Sequence, residues 1–367
     1  VDGSAAPESC DMKKPILIEG MHGMGDNVHQ RALIRQIMQT REVWLETSWP
    51  AIYHDLVGPD LKLIRRAVNL RTQTKNAQRE ADKFLSLTPP PGIERIRVMY
   101  HGANVKETDS KSILEAMCRC VGVSYADADY RLPIPDDWSI RANKVLDRVG
   151  YTGHKPLLIY RPLVARHEWK GSAARNANEM AYAHLFAYLR NHFFVVSVAD
   201  LVPGVEWIVG PHLKADATLH NGELNFEELA ALFCEADLVF TSSGFSAVLA
   251  PAVETPCINV VGGYEDAKAH DSGKKFAPFL SIEPINPCHC WTSACRNVCE
   301  KEIDMIPAVD KIAAFVQDHF GIAILPMKGI ASDMFERAQR APENRPLAQP
   351  FGRHPLYRYG PSAGLKA

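Results

Sequence analysis

Gly20, Gly23, Gly25 and Asp26 stand between an apolar run, Pro15 to Glu19, and a helical pattern that continues from Asn27 to Ile37. A strand that passes through glycines and an acid into a helix aims that acid into the crevice at the strand's carboxyl end, where open α/β sheets bind ligands. The glycines permit close backbone approach, and the first amides of the helix are open to an anion or polar group. In that position Asp26 is suited to take a proton from a sugar hydroxyl, with His22 and His29 on either side to orient the acceptor or tune the acid. The alternative is that Asp26 only caps the helix, a place aspartate favours. The GxxGxG spacing is not the dinucleotide fingerprint. Glu46 nevertheless follows roughly 20 residues later, where a ribose-binding acid would sit, so a nicotinamide-dependent oxidoreductase is a second reading.

A second constellation lies between Tyr160 and Asn176, where Arg161, Arg166, His167, Lys170 and Arg175 follow a strand signal. A cationic loop over a sheet edge suits a diphosphate that gains charge as a leaving group. Its partner is Asp237 to Gly263, which reads strand, Ser242-Ser243-Gly244 turn, apolar helix over Gly244 to Val253, strand, with Phe245 counted among the donor-site residues. Two hydroxyls and a run of amides at a helix N-terminus make an anion cradle.

Alternating strand and helix signals position these groups. Before residue 150 they are PILIEG (15–20), the helix after Asp26, VWLET (43–47), a charged helical stretch from Leu61 to Phe84, and IERIRVMY (93–100). The turn-rich PDDW near Pro135 and YTGHKP (151–156) mark a passage to a second half. There KPLLIY (155–160), an alanine-rich helix (172–190), FFVVSV (193–198), EWIVG (206–210), a helix at 224–236, DLVFTS (237–242) and CINVVGG (257–263) restart the rhythm. The expected class is α/β, as two Rossmann-like domains facing across a cleft, 12–150 and 151–325, with residues 326–367 a tail or strap on the surface. The opening VDGSAAPES reads as a flexible leader.

Together these segments resemble the heptosyltransferases, inverting glycosyltransferases of the GT-B fold. Gly25-Asp26 and the helix after it are similar to the family's opening motif, Arg161 to Lys170 to its basic loop, and Ala236 to Pro256 to its ADLVV, DTG, HLAAALGTP pattern. The resemblance implies that Asp26 is the general base, that Lys170 binds phosphate, that the donor is a nucleotide-diphosphate sugar, and that neither metal nor further cofactor is required. It further implies an acceptor lobe first and a donor lobe second. This chain departs from the family in having Ser242-Ser243-Gly244 for Asp-Thr-Gly and Ser246-Ala247 where a histidine is usual. Those departures leave the donor sugar open, together with the acceptor, be it a glycan, a lipid-linked glycan or a modified biopolymer.

On the acceptor side, His22, Gly25, His101 and Thr47 fall near strand ends. Lys62, Arg65, Arg66, Arg71, Lys75, Arg79 and Lys83 form either an acceptor-binding basic surface or an ordinary solvated helix face. Cys288, Cys290, Cys295 and Cys299 enclose His289 in a spacing unlike a zinc ribbon; structural metal, disulfides and buried thiols are the alternatives. With 367 residues, 46% of them hydrophobic, and a net charge of -2, the chain is large enough for two cores and is not coated for nucleic acid. It shows neither a membrane-span nor a signal-peptide pattern, so a cytoplasmic enzyme is expected, with peripheral contact at the inner face of a membrane compatible with that. The leading function is metal-independent inverting glycosyl transfer; besides the oxidoreductase, a catalytically silent nucleotide-sugar-binding or assembly protein is the rival.

Overall fold

The run Ile16-Leu17-Ile18 is buried on both faces, which suits the interior of a parallel sheet better than a half-exposed one. It forms β1 (Lys14–Glu19), followed by α1 (Met24–Ile37), β2 (Arg41–Thr47), β3 (Leu61–Arg65), α2 (Arg71–Arg79) and β4 (Glu94–Arg97). These strands make a parallel four-stranded sheet in the order β3-β2-β1-β4. The computed structural model describes residues 13–68, 71–100, 102–167, 175–211, 213–291 and 300–324. The leader and the segment 325–367, expected as a tail, lie outside them.

After α3 (Gly102–Lys106), α4 (Ile113–Val121) and α5 (Asp136–Arg148), the second half contains β5 (Leu157–Tyr160), β6 (Val164–Arg166), α6 (Glu179–Arg190), β7 (Phe194–Val198), β8 (Glu206–Ile208) and β9 (Ala217–Leu219). It continues with α7 (Phe226–Cys234), β10 (Leu238–Ser242), α8 (Phe245–Ala252), β11 (Cys257–Val260), β12 (Phe279–Ile282) and α9 (Met305–Phe320). Its parallel sheet has the order β12-β11-β10-β5-β7-β9. Counted from β5, that is the doubly wound Rossmann order, with the direction of winding reversing between β5 and β10. The first sheet reverses in the same way between β1 and β4. The described residues belong to one compact unit, and none of their helices is long and apolar enough to cross a membrane.

Three local expectations need correction. Leu61–Arg65 is strand, not the start of a helix, because Leu61 and Leu63 are buried at a period of two while Lys62 and Ile64 are only partly so. PDDW is not a turn at a boundary: Pro135 precedes α5, and Asp136 and Asp137 occupy its first turn, where carboxylates favour the helix dipole. EWIVG contributes β8, which pairs antiparallel with β6 outside the main sheet, and the third strand of the winding is β9.

The crossing of the two halves is made by helices. The first turn of α1 lies on α8, and a Cβ on Gly25 would meet Phe245 Cα at 3.2 Å. Further back, Gly20 brings its chain so near β2 that a Cβ there would lie 2.5 Å from the Glu46 carbonyl oxygen that accepts its own amide. Gly20→Ala is therefore expected to cost ~1–3 kcal/mol, the usual range for overpacking. An unchanged urea midpoint in equilibrium unfolding would show that this backbone contact is not tight.

Candidate functional site

Both reversal points open into one cavity of about 330 Å³. The turn after β1 and the residue after β4 supply Gly23, Gly25, Asp26 and Tyr100; the segments after β5 and β10 supply Arg161, Ser242, Ser243, Gly244 and Phe245. The rule that ligands bind where strand order reverses thus applies twice, with the two crevices merged.

Asp26 sits in the first turn of α1. Gly23, not Asp26, is the N-cap, and it makes no side-chain cap bond. The capping explanation for Asp26 therefore does not hold in that form. Burial raises the Asp26 carboxyl above its ordinary value, against the opposing influences of the Arg175 guanidinium and a hydrogen bond from Tyr100, and Glu265 adds to the rise. Burial and the Asp26 charge push the Tyr100 phenol up, so it stays protonated and acts as donor. Arg175 forms an ion pair with the buried Glu265, which is 3% exposed. Burial would push the Glu265 carboxyl up, yet Arg175 and His270 hold it down at about 2. The His270 ring nitrogen Nε2 is 3.5 Å from Glu265 Oε2.

His29 lies one turn beyond Asp26 and is 1% exposed. Burial, and then the nearness of His270, lower it to about 3, so it is neutral at physiological pH. The two imidazoles are stacked at 6.2 Å between centroids, and Tyr130 meets the His29 ring edge-on at 4.9 Å.

Across the cavity, α8 begins at Gly244, whose φ of +143° is a conformation side chains resist. Among the described residues no side chain caps this helix, and its first residues line the cavity. Ser242 Oγ accepts the Ala177 amide at 3.3 Å, whereas the buried Ser243 hydroxyl has no partner among the described residues. Arg161 donates to the Val198 carbonyl at 3.3 Å and, among the described residues, has no carboxylate in ion-pair contact. Burial lowers its pKa, which is the signature of a cation short of compensation.

The other cavity cations are matched. Arg166, expected to clamp phosphate, pairs with Glu206 at 3.2 Å. Arg79 approaches Asp200 at 3.9 Å and donates to the carbonyls of Gly222 and Leu224, while Lys75 pairs with Asp200 and Lys83 with Glu80 and Glu227. Lys75, Arg79 and Lys83 of the expected acceptor surface thus tie α2 and the turn after it to the second half of the chain, leaving them little freedom to bind an acceptor.

Thr47 and His22 are not brought to the cavity wall. Thr47 is fully buried; its hydroxyl donates to Asn27 Oδ1 at 2.7 Å and accepts the Trp49 amide at 3.0 Å, fixing the start of α1 to β2. The His22 carbonyl accepts from Trp49 Nε1 at 2.9 Å, and burial followed by Arg66 and Arg97 lowers its imidazole. Glu46 is absent from the wall as well. Lys170, His101, Cys295 and Cys299 fall outside the described residues. Cys288 and Cys290 have sulfurs 3.3 Å apart beside Gly263, and His289 between them bonds Glu283 at 2.6 Å.

Sequence reasoning passed over Tyr100, Glu265 and His270, and saw Arg175 only as one cation in a loop. The available signal was position: Tyr100 closely follows β4, and Glu265 follows the glycines after β11.

No family model matches the sequence, and no curated protein matches it. Among solved structures, the chain is similar to a glycosyl transferase family 9 protein from Veillonella parvula, at 13% identity over 74% of this chain and 86% of that one, with a TM-score of 0.47. It is similar to the ADP-heptose lipopolysaccharide heptosyltransferase II of E. coli, at 11% identity over 73% and 90%, with a TM-score of 0.46. The iron-containing dodecameric glycosyltransferase TibC from enterotoxigenic E. coli gives 16% identity over 78% and 68%, with a TM-score of 0.49. Values this low assign neither family nor substrate.

The buried neutral histidine has a consequence for stability. The unfolded chain protonates His29 near 6.5 and the folded chain only near 3, so the unfolded state binds more protons in between and stability falls as pH drops through that window. His29→Phe, which keeps the ring edge against Tyr130, is expected to flatten the decline of Tm between pH 6.5 and pH 4. An identical slope in the variant would mean that another group governs it.

Proposed function

We propose that the chain is an inverting glycosyltransferase that moves a sugar from a nucleotide-diphosphate donor to an acceptor hydroxyl. The observation that carries this reading is Arg161, a cavity cation with no ion-paired carboxylate among the described residues, lining the same cavity as the N-terminus of α8 and Asp26. A half-buried guanidinium calls for an anion, and the helix amides supply further donors to negative charge. A diphosphate fits both, and the carboxylate opposite it fits a group that must lose a proton.

In the proposed step the acceptor oxygen attacks the anomeric carbon as Asp26 takes its proton. The bond from that carbon to the diphosphate oxygen breaks, and its electron pair leaves with the nucleoside diphosphate, whose charge Arg161 and the α8 amides stabilise. Attack from the face opposite the leaving group inverts the anomeric centre. In this reading residues 12–150 form the acceptor lobe and 151–325 the donor lobe, and their closure shields the reaction from water. Lys170 completes the phosphate contacts in this reading, by resemblance. The reading leaves the nucleotide base, the sugar and the acceptor class open, and takes a cytoplasmic location, with peripheral contact at the inner face of a membrane, from the sequence.

Asp26→Asn is expected to lower turnover ~10²–10⁴-fold, the range for loss of a general base, while nucleoside diphosphate still binds. Arg161→Met is expected to do the reverse, weakening nucleotide binding first. Because the Asp26 carboxyl is raised above 3.8, the wild-type rate should climb with pH through a value above that. Full turnover by Asp26→Asn would remove the base.

Charge on the leaving group is met here by a guanidinium and amides, so donor cleavage is expected to proceed in EDTA. Turnover abolished by the chelator and restored by a divalent cation would overturn that part of the mechanism.

A further inference from the structure

Glu265 stands between two roles that the cavity keeps apart. It is almost wholly buried, it follows the glycines after β11, and it faces a cavity-lining arginine that also acts on Asp26. We propose that Glu265 is a positioning residue for the base: by holding Arg175 in a buried ion pair, it keeps that guanidinium from pairing with Asp26. The inference rests on Asp26 being the base, and it concerns what keeps a carboxylate basic beside an arginine.

Arg175 lines the cavity with about a third of its side chain exposed, whereas Glu265 is closed off at 3%. The pair therefore has its acid closed off and its cation on the cavity wall that Asp26 shares. Were the tether absent, Asp26, which lines the same cavity and is acted on by the Arg175 charge, would be open to pairing with the guanidinium, and a carboxylate locked to arginine is a poor proton acceptor. With the tether, the pair is neutral as a whole. Asp26 is then left to the Tyr100 hydroxyl, a donor that orients it without neutralising it.

The segment that carries Glu265 is itself pinned. The His289 amide bonds the Gly263 carbonyl at 2.9 Å, the Trp291 amide bonds the Tyr264 carbonyl at 3.2 Å, and Asp266 caps the following 3-10 helix through the Lys268 amide at 2.9 Å. A tether on a loose loop would not hold Arg175 back; this one is bonded on both sides.

Among the described residues, the titratable groups around Asp26 are Tyr100 after β4, Arg175 before α6, Glu265 and His270 after β11, Tyr53 on the 3-10 turn behind α1, and His29 on α1 itself. The helix packed on the turn, α8, has the sequence FSAVLAPA and contributes none. Burial acts on Asp26 most strongly; Arg175 is the first of the neighbouring charges that act on it, and Glu265 acts in the opposite sense to Arg175.

The direct test is a 13C NMR titration of protein labelled at the aspartate carboxyl carbon, with the Asp26 resonance assigned by Asp26→Asn. It needs no substrate, so it is independent of whether the chain transfers sugars. Glu265→Gln, which keeps size and shape, is expected to lower the Asp26 midpoint by about one pH unit, the scale of an unscreened opposite charge. Arg175→Met is expected to raise it, and supplies the test if Glu265→Gln fails to fold. An Asp26 midpoint unmoved in the folded variants overturns the proposal and leaves Glu265 a merely structural residue. In turnover assays the acid limb of kcat/KM should move in the same directions. A titration that shifts as described in a protein whose Asp26→Asn variant keeps full turnover would instead retain the tether and discard the base.

Discussion

The first turn of α1 meets the first turn of α8 at backbone distance, and this contact governs what the cavity can do. Gly25 permits it: a side chain there would press on Phe245 Cα at 3.2 Å. Helices normally pack 8–10 Å apart because side chains intervene, so a glycine at the crossing brings the two helix beginnings closer than packed side chains would allow. Asp26 on one and the Ser242-Ser243-Gly244 turn before the other therefore share one cavity. Behind each, a parallel sheet reverses its winding at the strand that feeds the turn, which holds both turns on rigid supports.

Charge is distributed in that cavity according to use. Arg166 is matched by Glu206, Arg79 by Asp200 and Arg175 by Glu265, so these cations carry little net charge into the cavity. Arg161 is different, and its place next to the α8 amides concentrates positive potential at one end. The other end holds a carboxylate made more basic by burial. An arrangement of that kind separates an anion-binding role from a proton-accepting role, as transfer from a diphosphate to a hydroxyl requires. The ion pairs from Lys75, Arg79 and Lys83 to acids of the second half lie along the side of the same cavity and hold its walls in register.

Much of this was readable from the sequence because strands buried on both faces announce themselves as short apolar runs, and glycine-rich turns mark their ends. PILIE, LLIY, FVVSV and CINV all became strands, and the turns after the first of these and after β10 carry the site. LKLIR escaped because its charges mimic an exposed helix, while its period of two shows only once burial is known. The residues around Asp26 were harder. Tyr100, Glu265 and His270 are separated from it by 74 residues or more in sequence, and only sheet order brings β4 beside β1 and the segment after β11 over the crevice. Thr47 illustrates the opposite error: a strand-end position suggested substrate contact, but its hydroxyl is spent on Asn27 and Trp49 inside the fold.

The central claim is that a diphosphate-linked sugar occupies the cavity between Arg161 and Asp26. It is tested most directly by thermal-shift measurements with ADP-, UDP-, GDP- and CMP-linked sugars, free nucleoside diphosphates and NAD, all in EDTA. Selective stabilisation by one nucleotide-sugar class, lost in Arg161→Met, is the predicted result. Stabilisation by NAD alone would contradict the account and return the first glycine turn to a dinucleotide.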